Sequence, residues 1–482
     1  MRIAIIGGGI AGLAAAYELE KARTAGTAVE YALFEERARL GGSLDSEIVG
    51  GAVLERGPDS FLTEKPAAAE LCRELGLGGE LIPSNDAARK TYIVTRNRLV
   101  ALPDGLMFLV PTKLLPTAMT RLFSLRTKMK MALELLHPPR FSDGDESVAA
   151  FVERHYGREA VDRLADPLLS GIYGGDATQL SAQTVLPRLV EMETKYGSLT
   201  RGMLAAHRKM RAHAKTSPET PNGRAAIFTA LRGGMGTLVD AIAARLESGS
   251  VRTATAVSGI EKTAQGWRVQ AGGVGEEFDA LILAAPAWIA GELLAPVDAA
   301  LGAELGGIPC SSSITVNLVY DEGKIGPLPE GFGFLVPAVE GRAMLACTFA
   351  HRKFLGRTPP GKAVFRAFLG GMKRVDLLAE SDRALVEIVR REMREILGAK
   401  TFGAEVEPEF AQETRWRRAM AQYAVGHKAR MQRVNARVTA LPGLRLVGNA
   451  YEGIGVPDCI RLGRKAAREL AGVPEPVVAA GR

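Results

Sequence analysis

The sequence predicts an α/β protein: a dinucleotide-binding domain assembled from discontinuous segments, carrying an α+β domain and a mainly helical insertion. Three observations point there. The chain opens on a β-branched run that ends in three glycines and passes into a helical apolar pattern. A long stretch of helical pattern follows, and α/β texture returns after it. A strand running into glycines recurs near the C-terminus, at residues 444–447.

Residues 2–6 read as a short strand, and residues 10–21 as a helix with apolar spacing at Leu13, Ala16, Tyr17 and Leu19. Residues 29–34 read as a second buried strand, completing about 35 residues, the size of one βαβ crossover. Residues 66–75 then look helical, and residues 91–102 look like paired strands around Arg96-Asn97. Residues 105–215 are mostly helical in pattern. Within them, residues 121–136 interleave Arg121, Arg126, Lys128 and Lys130 with Leu122, Phe123, Leu125, Met129, Met131 and Leu133. Such a basic amphipathic helix can rest on anionic lipid. The core reading is favoured, because long charged side chains routinely border buried faces.

Residues 217–224 are a loop by composition. A helix is expected over 237–246, with strands at 251–260, 267–270 and 280–285. Further strands are expected at 312–320, 333–336, 344–349 and 363–369, a helix at 382–397, and a last helix from about residue 460. The implied division places residues 1–65, 217–305 and 413–482 in the dinucleotide-binding domain. Residues 66–105 and 306–412 form the substrate-binding domain, and residues 106–216 the helical insertion.

Length and composition agree with this organisation. The 482 residues suffice for about three domain-sized units. With 47% hydrophobic and 24% charged residues the chain is ordinary for a globular protein, which excludes global disorder. The net charge of +7 comes without a basic run, so nucleic acid is a poor partner. Cys72, Cys310, Cys347 and Cys459 lie far apart with no C-x-x-C pair, which fits a reduced cytoplasmic setting. No apolar stretch is long enough to span a bilayer; the best candidate, 102–119, is broken by Asp104, Pro111, Lys113 and Pro116.

Gly7, Gly8, Gly9, Ile10, Ala11 and Gly12 fit G-x-G-x-x-G directly after a strand and at the opening of a helix. The first glycine permits the turn, the second lets pyrophosphate approach the backbone, and the third lets helix pack on strand. The helix N-terminus supplies free N–H groups for the phosphates. Glu35, at the end of the second strand, can accept hydrogen bonds from ribose hydroxyls and would repel a 2′-phosphate. Six scattered histidines form no metal-binding pattern and no acid–base constellation, so no metal is expected.

Past the acid, Arg37-Ala38-Arg39-Leu40-Gly41-Gly42 adds a basic residue and a glycine doublet. Here the chain resembles the flavin-containing amine oxidase superfamily, which implies FAD. Three further segments resemble the oxygen-dependent porphyrinogen oxidases: residues 55–62 (ERGPDSFL), 170–176 (SGIYGGD) and 448–460 (GNAYEGIGVPDCI). Arg415-Trp416, Gln422-Tyr423 and Gly426-His427 resemble that family's R-W…Q-Y…G-H stretch. The resemblance runs in order over nearly the whole chain.

It implies FAD contacts at Gly7 to Gly12, Glu35, Glu36, Gly42, Ser43, Gly57, Pro58, Asp59 and Ser60. It also implies a backbone contact to adenine at Val257, and a flavin bordered by Trp416, Gly448, Ile454, Gly455 and Val456. Gly171 takes a backbone position close to the reacting methylene bridge, and Gly175 allows close approach of substrate. Arg89 and Lys90 lie where the family places a basic partner for a propionate; surface charge is the equal alternative.

The implied activity is oxidation of a porphyrinogen by FAD and dioxygen in heme biosynthesis. Protoporphyrinogen IX is slightly preferred over coproporphyrinogen III, whose four propionates would ask for more cations. Another oxidase of the superfamily, or a flavin-free protein like the GDP-dissociation inhibitors, stays open as an alternative. So do peripheral membrane contact and a homodimer.

Overall fold

The computed structural model describes residues 1–474 except 104, 108, 112–113, 141–143 and 215–225. The loop expected at 217–224 lies outside the described residues.

The first layer is a five-stranded parallel sheet in the order Val251–Arg252, Glu30–Phe34, Arg2–Ile6, Ala280–Leu283, Leu444–Leu446. Its strands come from the beginning, middle and end of the chain. The helix Ile10–Thr24 covers one face, with Leu13, Ala14, Ala15, Ala16 and Leu19 fully buried. The helix Val456–Ala471 crosses it so closely that a β-carbon on Gly463 would lie 2.1 Å from the Ala11 carbonyl oxygen. The other face carries a three-stranded antiparallel sheet, Val257–Lys262, Trp267–Ala271 and Val274–Phe278, and the helices Ala287–Leu294 and Ala299–Gly306.

A seven-stranded sheet forms the second layer, ordered Phe410–Ala421, Cys310–Asp321, Lys362–Gly370, Met344–Phe349, Gly333–Leu335, Thr91–Thr95, Arg98–Ala101. All its pairs are antiparallel except Gly333–Leu335 with Thr91–Thr95. The last hairpin turns at Arg96 and Asn97, both at positive φ (50° and 59°), as the sequence places it. The helix Asp382–Leu397 buries Leu385, Val389, Met393 and Ile396 against the sheet.

Several elements depart from the sequence reading. The expected strand at 251–260 is two strands, broken where Ala254 takes a φ of 51°. Strand Phe410–Ala421 and helix His427–Thr439 were not expected, because their arginine-rich sequences carry neither apolar period cleanly. The last helix starts at Val456 rather than near residue 460. Gly455 caps it, a proline sits in its first turn, and Asp458 accepts the Gly455 N–H at 3.2 Å.

The helical insertion packs around Phe151, Tyr156, Leu164 and Leu169. Its basic segment corrects the core reading. Ser124 caps the helix Leu125–Leu133, which continues as one tight turn, Glu134–Leu136. Leu122, Phe123 and Met131 are buried, but Leu125 (75%), Met129 (58%), Leu133 (57%) and Leu136 (76%) face outward. Their spacing forms one apolar stripe on the outside of the molecule. No described helix is long and apolar enough to cross a membrane.

Candidate active site

At the carboxyl edge of the parallel sheet the chain turns sharply after Ile6. A β-carbon on Gly12 would lie 1.9 Å from the Gly7 carbonyl oxygen, so helix and turn meet backbone to backbone. The helix that follows has Gly9 at its cap, no side-chain capping bond and no acidic residue in its first turn. Its leading N–H groups therefore point out with the positive end of the dipole and suit an anion. Glu35 stands beside them, with Oε2 accepting from the Gly8 N–H (2.6 Å) and Oε1 from the Arg37 N–H (2.9 Å). Glu36, next along, is exposed. The segment before Val257 runs alongside: Thr255 N–H donates to the Glu35 carbonyl at 2.8 Å.

The glycine doublet lies directly over the fingerprint. Gly41 N–H donates to the Gly8 carbonyl (2.8 Å), and a β-carbon on Gly42 would sit 3.0 Å from Gly9 Cα. Next in line, a β-carbon on Gly57 would fall 1.7 Å from the Ser43 carbonyl oxygen, so only glycine fits. Gly448 follows Val447, whose N–H donates to the Leu283 carbonyl at 2.9 Å on the same sheet edge. These positions thus form one continuous cradle.

Residues 55–60 leave the cradle and are gripped by the second sheet. Trp416 Nε1 donates to the Arg56 carbonyl (2.8 Å), as does Thr315 Oγ1 (3.0 Å), and Asn317 Nδ2 donates to the Glu55 carbonyl (3.0 Å). Arg366, buried, donates to the Gly57 carbonyl. Lys353 holds both oxygens of Asp59, at 3.0 and 2.9 Å, and Ser60 Oγ donates to the same carboxylate at 2.6 Å. Burial would raise the Asp59 carboxyl, but Lys353 and Arg366 outweigh it and hold it well below the usual carboxylate range. Arg357 pairs with Glu55 at 3.0 Å. Pro58 is half-buried between these anchors.

Two further turns carry the remaining expected site residues. One is 453–456, which carries Ile454, Gly455 and Val456 into the last helix. Lys65 grips the Asp458 carboxylate at 2.9 and 2.7 Å and so steadies that turn. The other is the end of helix Asp166–Tyr173, where Gly171 is exposed and Gly174 closes the helix in the left-handed region. Burial, with the Asp458 charge adding to it, pushes the Tyr173 phenol up to about 12. Lys373 braces the second turn from behind, 2.5 Å from Asp166 and 3.7 Å from Asp176.

The structure thus gathers Gly7 to Gly12, Glu35, Gly42, Ser43, Gly57 to Ser60 and Trp416 along one track and leaves Gly171 exposed. It corrects the expectation for Gly175: that residue is buried, and a β-carbon there would lie 2.6 Å from Gln422 Oε1 and 2.8 Å from Leu180 Cδ1, so its bareness serves packing within the protein rather than approach of substrate. Arg89 and Lys90 lie at the outer end of strand Thr91–Thr95, 4.0 Å from Asp86 and 3.6 Å from Glu330 respectively. Both are half-exposed surface ion pairs. Sequence reasoning missed Lys65, Lys353, Arg357 and Arg366. A signal existed for one: Arg366 is the lone interior charge in the otherwise apolar run AVFRAFL.

A phosphate-accepting helix end, a ribose-accepting carboxylate and an extended cradle fit an extended dinucleotide, and define a dinucleotide-dependent oxidoreductase architecture. Residues 10–471 match the family described as flavin containing amine oxidoreductase. The chain belongs to that family, and its cofactor is FAD. It is 33% identical to the coproporphyrinogen III oxidase of Bacillus subtilis over 97% of each chain. It is 32% identical to the protoporphyrinogen oxidase of Homo sapiens over 98% of each. A crystal structure from Exiguobacterium sp. 255-15, provisionally described as a protoporphyrinogen oxidase, superposes with a TM-score of 0.84 at 31% identity, covering 98% of each chain.

Proposed function

We propose that this enzyme is an FAD-dependent porphyrinogen oxidase of heme biosynthesis. In this reading it takes protoporphyrinogen IX to protoporphyrin IX by removal of six electrons, with dioxygen as acceptor and hydrogen peroxide as product. The observation that carries it is the glycine-lined cradle beside Glu35 together with the exposed Gly171 at the end of helix Asp166–Tyr173. FAD, when bound, supplies a two-electron acceptor that dioxygen restores.

The chain's own residues do the rest. The helix opening at Ile10 receives the phosphates and Glu35 the ribose. The N-terminus of helix Val456–Ala471 presents a positive dipole end, which favours the negative charge of a reduced ring. Gly171 offers backbone without a side chain, and the neighbouring Ile172, 48% exposed, supplies an apolar wall for a tetrapyrrole. Arg89 and Lys90 serve as propionate partners in this reading. The domain division given above is part of it.

A second reading, coproporphyrinogen III as substrate, is favoured by the name of the Bacillus subtilis relative. One experiment tests both: anaerobic mixing of the yellow protein with each reduced porphyrinogen, followed by flavin absorbance. Bleaching by protoporphyrinogen IX is expected. Bleaching by coproporphyrinogen III alone would move the substrate to the second reading, and no bleaching by either would reject the porphyrinogen-oxidase reading.

We also propose that the enzyme works in the cytoplasm, in peripheral contact with an anionic membrane. The outward stripe Leu125, Met129, Leu133 and Leu136, flanked by Arg126, Lys128 and Lys130, supports this.

A further inference from the structure

Resting on the porphyrinogen-oxidase reading, we propose that Gln422 and Tyr423 are positioning residues that set the two edges of the reaction cleft separately. Gln422 fixes the substrate-side turn at 171–175, and Tyr423 fixes the coenzyme-side turn at 453–456.

The two residues follow the end of strand Phe410–Ala421, and their backbone is pinned. Gln422 N–H donates to the Pro309 carbonyl and the Tyr423 carbonyl accepts from Ser181 N–H, both at 2.8 Å. Both side chains are buried and reach different segments. Gln422 Nε2 donates to the Tyr173 carbonyl at 2.8 Å and to Ser311 Oγ at 3.1 Å, while Ser311 Oγ donates to the same carbonyl at 3.1 Å. Two donors thus converge on the one carbonyl that closes the Gly171 turn. A β-carbon on Gly175 would lie 2.6 Å from Gln422 Oε1, so the amide also dictates a bare residue there.

Tyr423 reaches the other edge. Its hydroxyl donates to the Asn449 carbonyl at 2.9 Å and accepts the Gly453 N–H at 2.8 Å, using both hydrogen-bonding roles on one loop. Its ring lies flat on His427, with centroids 4.3 Å apart and planes inclined by 20°. Asn449 Nδ2 in turn donates to the Ala419 carbonyl at 2.9 Å, tying the loop a second time to the same strand. Neighbouring residues therefore hold opposite edges through bonds that share no partner.

The test compares wild type with Tyr423→Phe, Gln422→Met, Ser311→Ala and the Gln422/Tyr423 double variant. FAD affinity, flavin absorbance, and KM and kcat for the porphyrinogen are measured on each. Tyr423→Phe should weaken FAD binding by about fivefold and shift the flavin absorbance band, with KM changed by less than about twofold. Gln422→Met should raise KM or lower kcat by about fivefold, with FAD affinity and spectrum unchanged. Ser311→Ala should act on the same side more weakly, and it carries that arm if Gln422→Met does not fold.

The double variant should show both effects. Parallel loss of both properties in each single variant, as general destabilisation would give, overturns the proposal; so do variants that match wild type. A wild-type protein that takes up no FAD or ignores porphyrinogens instead sinks the functional reading beneath it.

Discussion

Gly9 and Gly12 look equivalent in the fingerprint, but a side chain meets different obstacles at each. At Gly12 it would collide with the Gly7 carbonyl, whereas a β-carbon on Gly9 has only Gly42 Cα within reach, at 4.0 Å. Gly9 also holds an extended φ of −70° and ψ of 174° that any residue adopts. Gly9→Val should therefore fold normally yet fill the phosphate space, giving a colourless protein with a near-wild-type melting temperature. Gly12→Ala should lose folded protein itself. Normal flavin content in purified Gly9→Val would reject the fingerprint as the phosphate site.

His427 carries the pH dependence that belongs to a single residue. Burial and the nearby Arg430 charge lower its imidazole to about 4. The unfolded chain takes up that proton near pH 6.5, so between about 6.5 and 4 the unfolded state binds more protons and stability is lost as the pH is lowered. The full loss is about 3 kcal/mol. His427→Gln should flatten the urea-unfolding free energy between pH 7 and pH 4.5 relative to wild type; an identical slope would show that the residue is not held neutral.

At the scale of elements, the helix Leu199–Ala214 begins on a buried carboxylate from elsewhere. Glu134 accepts from Leu199 N–H (2.5 Å), Thr200 N–H (3.3 Å) and Ser198 Oγ (2.8 Å), and faces His155 Nδ1 at 3.2 Å. Burial opposes the charge, yet these donors lower the Glu134 carboxyl to about 2. His155 is raised in turn, because Glu134 and Glu193 on its two sides outweigh its burial. Glu134→Ala leaves His155 short of a partner and the helix start uncapped. A loss of about 3 kcal/mol is expected in chemical unfolding, with flavin content per folded molecule unchanged.

Elements with a clean period were legible before the structure, such as helix Asp382–Leu397 and strand Met344–Phe349. Strand Phe410–Ala421 was not. It runs along a sheet edge, and its arginines reach outward to partners such as Asp382 and the Leu378 carbonyl, so no alternation marks it.

For the whole molecule, the coenzyme half of the site was far more legible than the substrate half. Phosphate approach demands glycine at fixed local spacing, so Gly7 to Gly12 announce themselves in the sequence, whereas Gly42 and Gly57 enter only through the resemblance. The grip on residues 55–60 is not announced, because Lys353, Arg357 and Arg366 meet that segment only after about three hundred residues of chain have folded back. Arg89 and Lys90 show the converse: a position borrowed by resemblance, with no local physics to fix its direction.

The membrane reading belongs at this scale too. Replacing Met129 and Leu133 with Glu should abolish co-sedimentation with anionic vesicles while leaving flavin content intact. Equal sedimentation of variant and wild type would remove the stripe as the docking face.

The parallel sheet is complete only with Leu444–Leu446 beside Ala280–Leu283, and the helix that follows, Val456–Ala471, packs on the first one. A ribosome releases these segments long after the opening glycines have emerged. A premature stop codon shortly before residue 444 would therefore leave the nucleotide fingerprint intact but remove an edge strand of the parallel sheet and the helix that packs on Ala11, and such a polypeptide should purify without flavin.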